Sequence, residues 1–299
     1  MNTLNNELCQ RFNPLNDYLF FRVMGEKGDE VQLLGFLNAV LDRSGKELIK
    51  SLEILENKSF PRKIRDGKSC VLDVLAVLCD GTRVNIEVQL GNEYNMDRRS
   101  LFYWSKVYSE SLEEGQNYRD LPNVIAVNIV DFNFPSGRNL HTCFHLREDT
   151  DPSLVLSAAL EIHCINMVQW RKLEGKDILT NPLHRWLAWF DEGSPPEMLE
   201  EVVKMDGAIA EAYKKLEEAM QDQDAYRAYW AERKFRHDMV SQLEGAHDEG
   251  FSQGLEQGAE KSKIEIVRKM KAAGRPLAEI SEFTGLLPAA IENLDGQNK

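Results

Sequence analysis

Three polar residues stand where the sequence is otherwise suited to a β-hairpin: Asp73 in CVLDVLAVLC (70–79), and Glu87 and Gln89 in RVNIEVQL (83–90). Both runs are rich in β-formers and flank Asp80-Gly81, a turn pair. On the second strand Arg83, Asn85, Glu87 and Gln89 share one face, and Val84, Ile86, Val88 and Leu90 the other. The turn decides where Asp73 falls. A two-residue loop sets it opposite Val88. A three-residue Cys79-Asp80-Gly81 loop, with Gly81 left-handed in a bulge, sets it opposite Glu87 with Cβ atoms about 5 Å apart. We favour the second, because it gathers every polar residue of the hairpin on one side. Two carboxylates that close repel each other and are costly to bury unless a cation neutralises them. Such oxygen-rich pairs suit Mg²⁺ or Mn²⁺, which can lower the pKa of a bound water and stabilise a phosphate under attack. The same spacing also suits an Asp73 that accepts backbone hydrogen bonds while Glu87 and Gln89 face solvent. Spacing alone does not separate the two readings.

The elements that must hold these residues are readable from periodicity. Residues 14–42 are helix-rich: Pro14 and Asn16 can start a helix carrying Leu15, Leu19, Phe20 and Val23, and VQLLGFLNAVLD follows with helical spacing. SLEILENKSF (51–60) is a strand candidate with a mixed pattern. After the hairpin a long helix is expected over about 94–114, capped by Gly115. NVIAVNIVDF (123–132) is a buried strand by length and β-branching, and HTCFHLRE (141–148) and LEIHCINMV (160–168) are two more strand candidates. This intermixing predicts an α/β core over residues 1–170. Beyond it, 171–247 is expected as a helical extension, with Trp186, Trp189 and Phe190 as packing. Residues 248–299 are expected as a connector, with Gly250, Gly254 and Gly258 every fourth residue, followed by a small helical tail. Glycine costs about 1 kcal/mol against alanine in a helix, so the repeat reads as a weak helix or flexible joint. The tail breaks at Gly274-Arg275-Pro276 and at Gly285. It resembles a helix-turn-helix, but its last helix, LPAAIENL, carries no basic residue, so an appendage or homo-oligomer contact is the better reading.

The chain has 299 residues, 42% hydrophobic and 28% charged, an ordinary globular composition. No apolar run approaches the roughly 18 residues of a membrane span, and the N-terminus lacks a secretory pattern, so the expected compartment is the cytoplasm with no membrane partner. The five cysteines are unpatterned, which fits reducing surroundings; Cys70, Cys79, Cys143 and Cys164 lie in apolar runs and read as small hydrophobes. The net charge of −13 counts against nucleic-acid binding. It is uneven, however. Residues 1–150 carry 18 basic and 22 acidic side chains, a net of −4, and 151–299 carry 18 and 27, a net of −9.

LDVLAVLCDGTRVNIEVQL resembles the D…E-x-K/Q hairpin of the PD-(D/E)xK nuclease superfamily. NDYLFFRVM, LLGFLNAVL, DRRSLFYWSKVYSESLEEGQNY and NVIAVNIVDF place the resemblance in its Rpn branch, recombination-promoting, transposase-like nucleases. The likeness covers roughly residues 13–170. It implies a restriction-endonuclease-like core and Mg²⁺- or Mn²⁺-dependent hydrolysis of DNA. Asp73 and Glu87 match the metal-binding acidic pair. Gln89 stands where much of the superfamily has lysine, and supplies an amide but no charge. Asp17 matches an acidic residue on the first helix. On the helix after the hairpin, Arg99, Tyr103 and Lys106 fall on one face, with Arg98 beside them, and can hold phosphates; Arg99 can equally pair with a carboxylate while Tyr103 packs. A binding or assembly protein, or an RNase, on the same fold is the alternative. His141 and His145 share a strand face and could bind a metal with His163, but no fourth ligand is apparent, and hydrogen-bonded strand histidines are the expected reading.

Overall fold

The computed structural model describes residues 12–28, 30–55, 74–91, 95–135 and 137–293. Asn16 accepts a hydrogen bond from the Leu19 backbone N–H and so starts α1 (Asp17–Met24). The apolar side of α1 buries Leu19, Phe20, Val23 and Met24. The next helix, α2 (Val31–Val40), is tied to α1 by Gln32 Nε2, which donates to the Val23 carbonyl at 2.6 Å.

Strands β1 (Leu52–Ile54), β2 (Val74–Leu78) and β3 (Arg83–Gln89) are antiparallel neighbours. At the β2–β3 turn the Gly81 N–H donates to the Leu78 carbonyl at 2.9 Å, and the Leu78 N–H donates to the Thr82 carbonyl at 2.8 Å. Gly81 has φ +88°, a backbone that glycine adopts without the Cβ penalty. This is the three-residue loop. The pairs it fixes are Val74 with Ile86, Leu75 with Asn85, Ala76 with Val84 and Val77 with Arg83.

Helix α3 (Met96–Ser109) then leads to β4 (Val124–Val130), which lies parallel to β3. β6 (Val155–Asn166) runs parallel to β4, and β5 (His141–Arg147) closes the edge antiparallel to β6. The six-stranded order is β1-β2-β3-β4-β6-β5. All seven residues of β4 are buried, as expected for a central strand covered on both faces.

One sheet face carries the main core. Val84, Ile86, Val88, Ile125, Val127, Ile129 and Ile165 pack there with α1, α2 and the helices after β6. Those helices are α4 (Met167–Lys172), α5 (Pro182–Phe190), α6 (Pro196–Met205) and α7 (Gly207–Gln221). Phe36 of α2 meets Trp186 and Phe190 of α5 edge-on, with centroids 5.6 and 5.2 Å apart, so these aromatics are packing, as expected. On the other face α3 sets Tyr103 and Val107 against Val124, and Trp104 Nε1 donates to the Val124 carbonyl at 2.9 Å.

One expectation changes. Helix α3 ends at Ser109, short of Gly115: the Ser111 hydroxyl donates to the Val107 carbonyl at 2.5 Å, and Ser111 and Leu112 N–H groups turn back to Tyr108 and Ser109. Gly115 takes its left-handed φ of +90° in the following turn. The glycine repeat lies within one uninterrupted helix, α8 (Gln223–Ala272). Residues Met1–Tyr229 form one compact unit and Trp230–Lys299 a second. In the second, Val267, Ile280 and Ile291 join the end of α8 to α9 (Leu277–Thr284) and α10 (Pro288–Asn293), with Gly285 capping α9 at φ +70°.

Candidate metal and nucleic-acid site

Alternation along β3 turns Arg83, Asn85, Glu87 and Gln89 to the α3 side, away from the main core. Glu87 sits mid-strand and is 2% exposed. Beside it in the parallel ladder is Asn128 of β4, and beyond that Cys164 of β6. The Asn128 amide is already engaged: its Oδ1 accepts from the Ser100 hydroxyl of α3 at 3.1 Å, and its Nδ2 donates to the His163 carbonyl at 3.2 Å. Two residues before Glu87, Asn85 is buried, and among the described residues its Oδ1 has no hydrogen-bond partner.

This face therefore sets the buried Glu87 carboxylate on the same side of β3 as the Asn85 amide oxygen. A buried acceptor without a donor, as at Asn85 among the described residues, is costly. A hard divalent cation takes oxygen ligands of these kinds, carboxylate and amide, so the residues present fit one. Gln89 is half-exposed at the end of β3, where its carbonyl accepts from the Asp131 N–H at 2.9 Å.

The other expected residues fall as follows. Asp73 lies outside the described residues. Asp17 is exposed as the first residue of α1, whose packed side belongs to the main core. On α3, Arg98 is exposed, Arg99 is half-buried with its guanidinium 5.8 Å from the Tyr103 ring, and Lys106 lies 3.8 Å from Glu110. Tyr103 itself is buried against Val107 and Val124. Its ring thus braces the sheet contact, with the Arg99 guanidinium beside it.

Asn85, read from the sequence as sharing the polar strand face, is joined in the lining by Ser100 and Asn128, which were not picked out from the sequence. A signal for Asn128 was available: it is the one polar residue in VIAVNIV, as Asp73 is in CVLDVLAVLC.

The mixed sheet, the hairpin and the acidic strand position together decide what the chain should be compared with, and the family model for PD-(D/E)XK nuclease family transposases matches residues 14–246. The chain belongs to this family. The PD-(D/E)XK match runs past the last strand through α4–α7, the helices that complete the main core. Its nuclease-like, transposase-related character therefore rests on residues 14–246 and not on the hairpin alone. PD-(D/E)XK nucleases generally use divalent metal ions. No curated protein and no solved structure matches the chain. Among the described residues no helix is long and apolar enough to cross a membrane.

Proposed function

We propose that this chain is a metal-dependent DNA endonuclease of the recombination-promoting, transposase-like type, hydrolysing phosphodiester bonds with Mg²⁺ or Mn²⁺. The observation that carries the reading is Glu87, a carboxylate 2% exposed in the middle of β3, in a family built around such an acid. The β2–β3 register supports Asp73 as its partner. Leu75 pairs with Asn85, and the same register continued by two residues would set Asp73 opposite Glu87.

In this reading Asp73 and Glu87 hold the ion, which when bound supplies Lewis-acid charge and a water of lowered pKa. Gln89 orients the attacking water or a phosphate oxygen through its amide; it adds no positive charge, so charge stabilisation falls to the other groups. Asp17 assists from the first helix. Arg98, Arg99 and Lys106 hold flanking phosphates, with Tyr103 bracing Arg99 through its ring face.

The test is cleavage of supercoiled plasmid DNA by purified protein with Mg²⁺ or Mn²⁺, comparing wild type with Asp73→Ala. Metal-dependent nicking that vanishes in a folded variant supports the assignment. Equal cutting by both proteins would move the chemistry elsewhere. Cleavage of RNA but not DNA would make the protein an RNase. No cutting with any metal would leave a binding protein on a nuclease fold.

A further inference from the structure

At the far edge of the sheet, on the main-core side, lies a second cluster that owes nothing to the hairpin. His141, Cys143 and His145 alternate along β5 and pair with Ile165, His163 and Glu161 of β6. Alternation therefore turns all three toward the face that carries His163 and Glu161. His163 is buried. Its Nε2 lies 2.7 Å from Glu161 Oε1 and 3.6 Å from Cys143 Sγ, and Cys143 Sγ lies 3.3 Å from His145 Nε2. The Cys143, Glu161 and His163 ligand atoms all fall within 4.8 Å of one another. On its other side His163 Nδ1 is 2.8 Å from His141 Nε2.

We propose that Cys143, His145, Glu161 and His163 form a tetrahedral zinc site that fastens the edge strand β5 to β6, with His141 holding the His163 ring from behind. The ligand chemistry, one thiolate, two imidazoles and one carboxylate, is that of a borderline-soft ion rather than of Mg²⁺. Sulfur at about 2.3 Å and nitrogen at about 2.0 Å from a tetrahedral ion stand roughly 3.5 Å apart, and the two observed sulfur–nitrogen separations, 3.3 and 3.6 Å, bracket that value. The Glu161–His163 contact must open by roughly half an ångström, and the half-exposed His145, which reaches Cys143 but stands outside the three ligand atoms that lie within 4.8 Å of one another, must swing inward to complete the set. The His163 Nδ1–H then donates to His141 Nε2, which is the outer hydrogen bond that metal-bound histidines usually have.

Charge balance agrees. The Cys143 thiol gives its proton to solvent, and thiolate plus Glu161 carboxylate neutralise a divalent ion. Expected from sequence as a small hydrophobe, Cys143 is exposed; it is the ligand that the histidine pattern lacked, and Glu161 is the next.

Sheet alternation sets this cluster on the face opposite Glu87, so it is independent of the proposed nuclease chemistry. The test is titration of the reduced full-length protein with Co²⁺ as a spectroscopic substitute for zinc. One equivalent should give intense visible bands of tetrahedral cobalt and a near-ultraviolet thiolate charge-transfer band, both displaced by Zn²⁺. Cys143→Ser, an exposed and nearly isosteric change, should abolish the charge-transfer band and weaken Zn²⁺ binding at least about 100-fold. His145→Ala, also not buried, should weaken binding as well, and Glu87→Gln should leave the bands intact. Weak octahedral cobalt spectra in the wild type, or a thiolate band that survives Cys143→Ser, would overturn the site.

Discussion

Glu87 sits in the centre of a strand buried on both faces, next to a second buried strand. Glu87→Gln keeps its shape and replaces one carboxylate oxygen by an amide nitrogen. Under the proposed function, metal-dependent cleavage should fall by at least about 100-fold, the scale of losing one group aimed at transition-state charge. Plasmid assays read this beside melting curves that confirm folding; cleavage at the wild-type rate by the folded variant would remove Glu87 from the chemistry. Arg171 has its partners in place. Its Nη2 lies 3.0 Å from Asp131 Oδ2 and its Nε 3.1 Å from Asp191 Oδ1. Those bonds, first that to Asp131, raise its pKa further above its ordinary value. Because Arg171 is part-exposed but Asp191 is buried, Arg171→Ala should cost about 1–2 kcal/mol, read from urea unfolding. No change would show that the clamp between the end of β4 and the end of α5 is solvent-screened.

At the level of elements, short-range turn chemistry was decisive where glycine had to be left-handed. Gly81 fixed the three-residue loop and with it the β2–β3 register, and Asn16 fixed the start of α1. The end of α3 was different, because Ser111 bonds back to Val107 before the expected glycine stop is reached, a competition that periodicity does not register. Gly35 shows tertiary packing overruling propensity. Alanine in mid-helix is better than glycine by about 1 kcal/mol, but a Cβ at Gly35 would come within 2.4 Å of the Ala208 Cβ of α7 and 3.3 Å of Trp186. Gly35→Ala should therefore destabilise by a net of about 1–2 kcal/mol. Chemical denaturation decides, and a stabilised variant would show that α2 and α7 can move apart at little cost.

On the scale of the whole molecule, α8 is the outlier. It runs through fifty residues, and residues 237–263 are exposed throughout. Gly250, Gly254 and Gly258 lie in this stretch with open space around each. An uncovered helix with three glycines draws little support from packing. In the isolated protein at low concentration, amides of residues 240–262 should exchange with solvent far faster than those of β4, as hydrogen-exchange mass spectrometry would show. Protection matching that of β4, rising with protein concentration, would instead mean that another copy covers the helix.

What the sequence determined by itself was local: the hairpin and its register, the two first helices, the buried strand around Asn128, and the glycine stops of the tail. These follow from periodicity of two or 3.6 residues and from turn residues, which act over a few positions along the chain. The acidic pattern around Glu87 was readable for the same reason, because alternation within one strand settles which side chains share a face. Only the tertiary structure decided that Asn128 stands beside Glu87, that Ser100 reaches across to it, and that α4–α7 close the same core as the sheet. It alone brought Cys143 and Glu161 to His163. Each of these joins residues tens of positions apart through strand pairing and packing, and burial of a polar group is set by what covers it rather than by its neighbours in sequence.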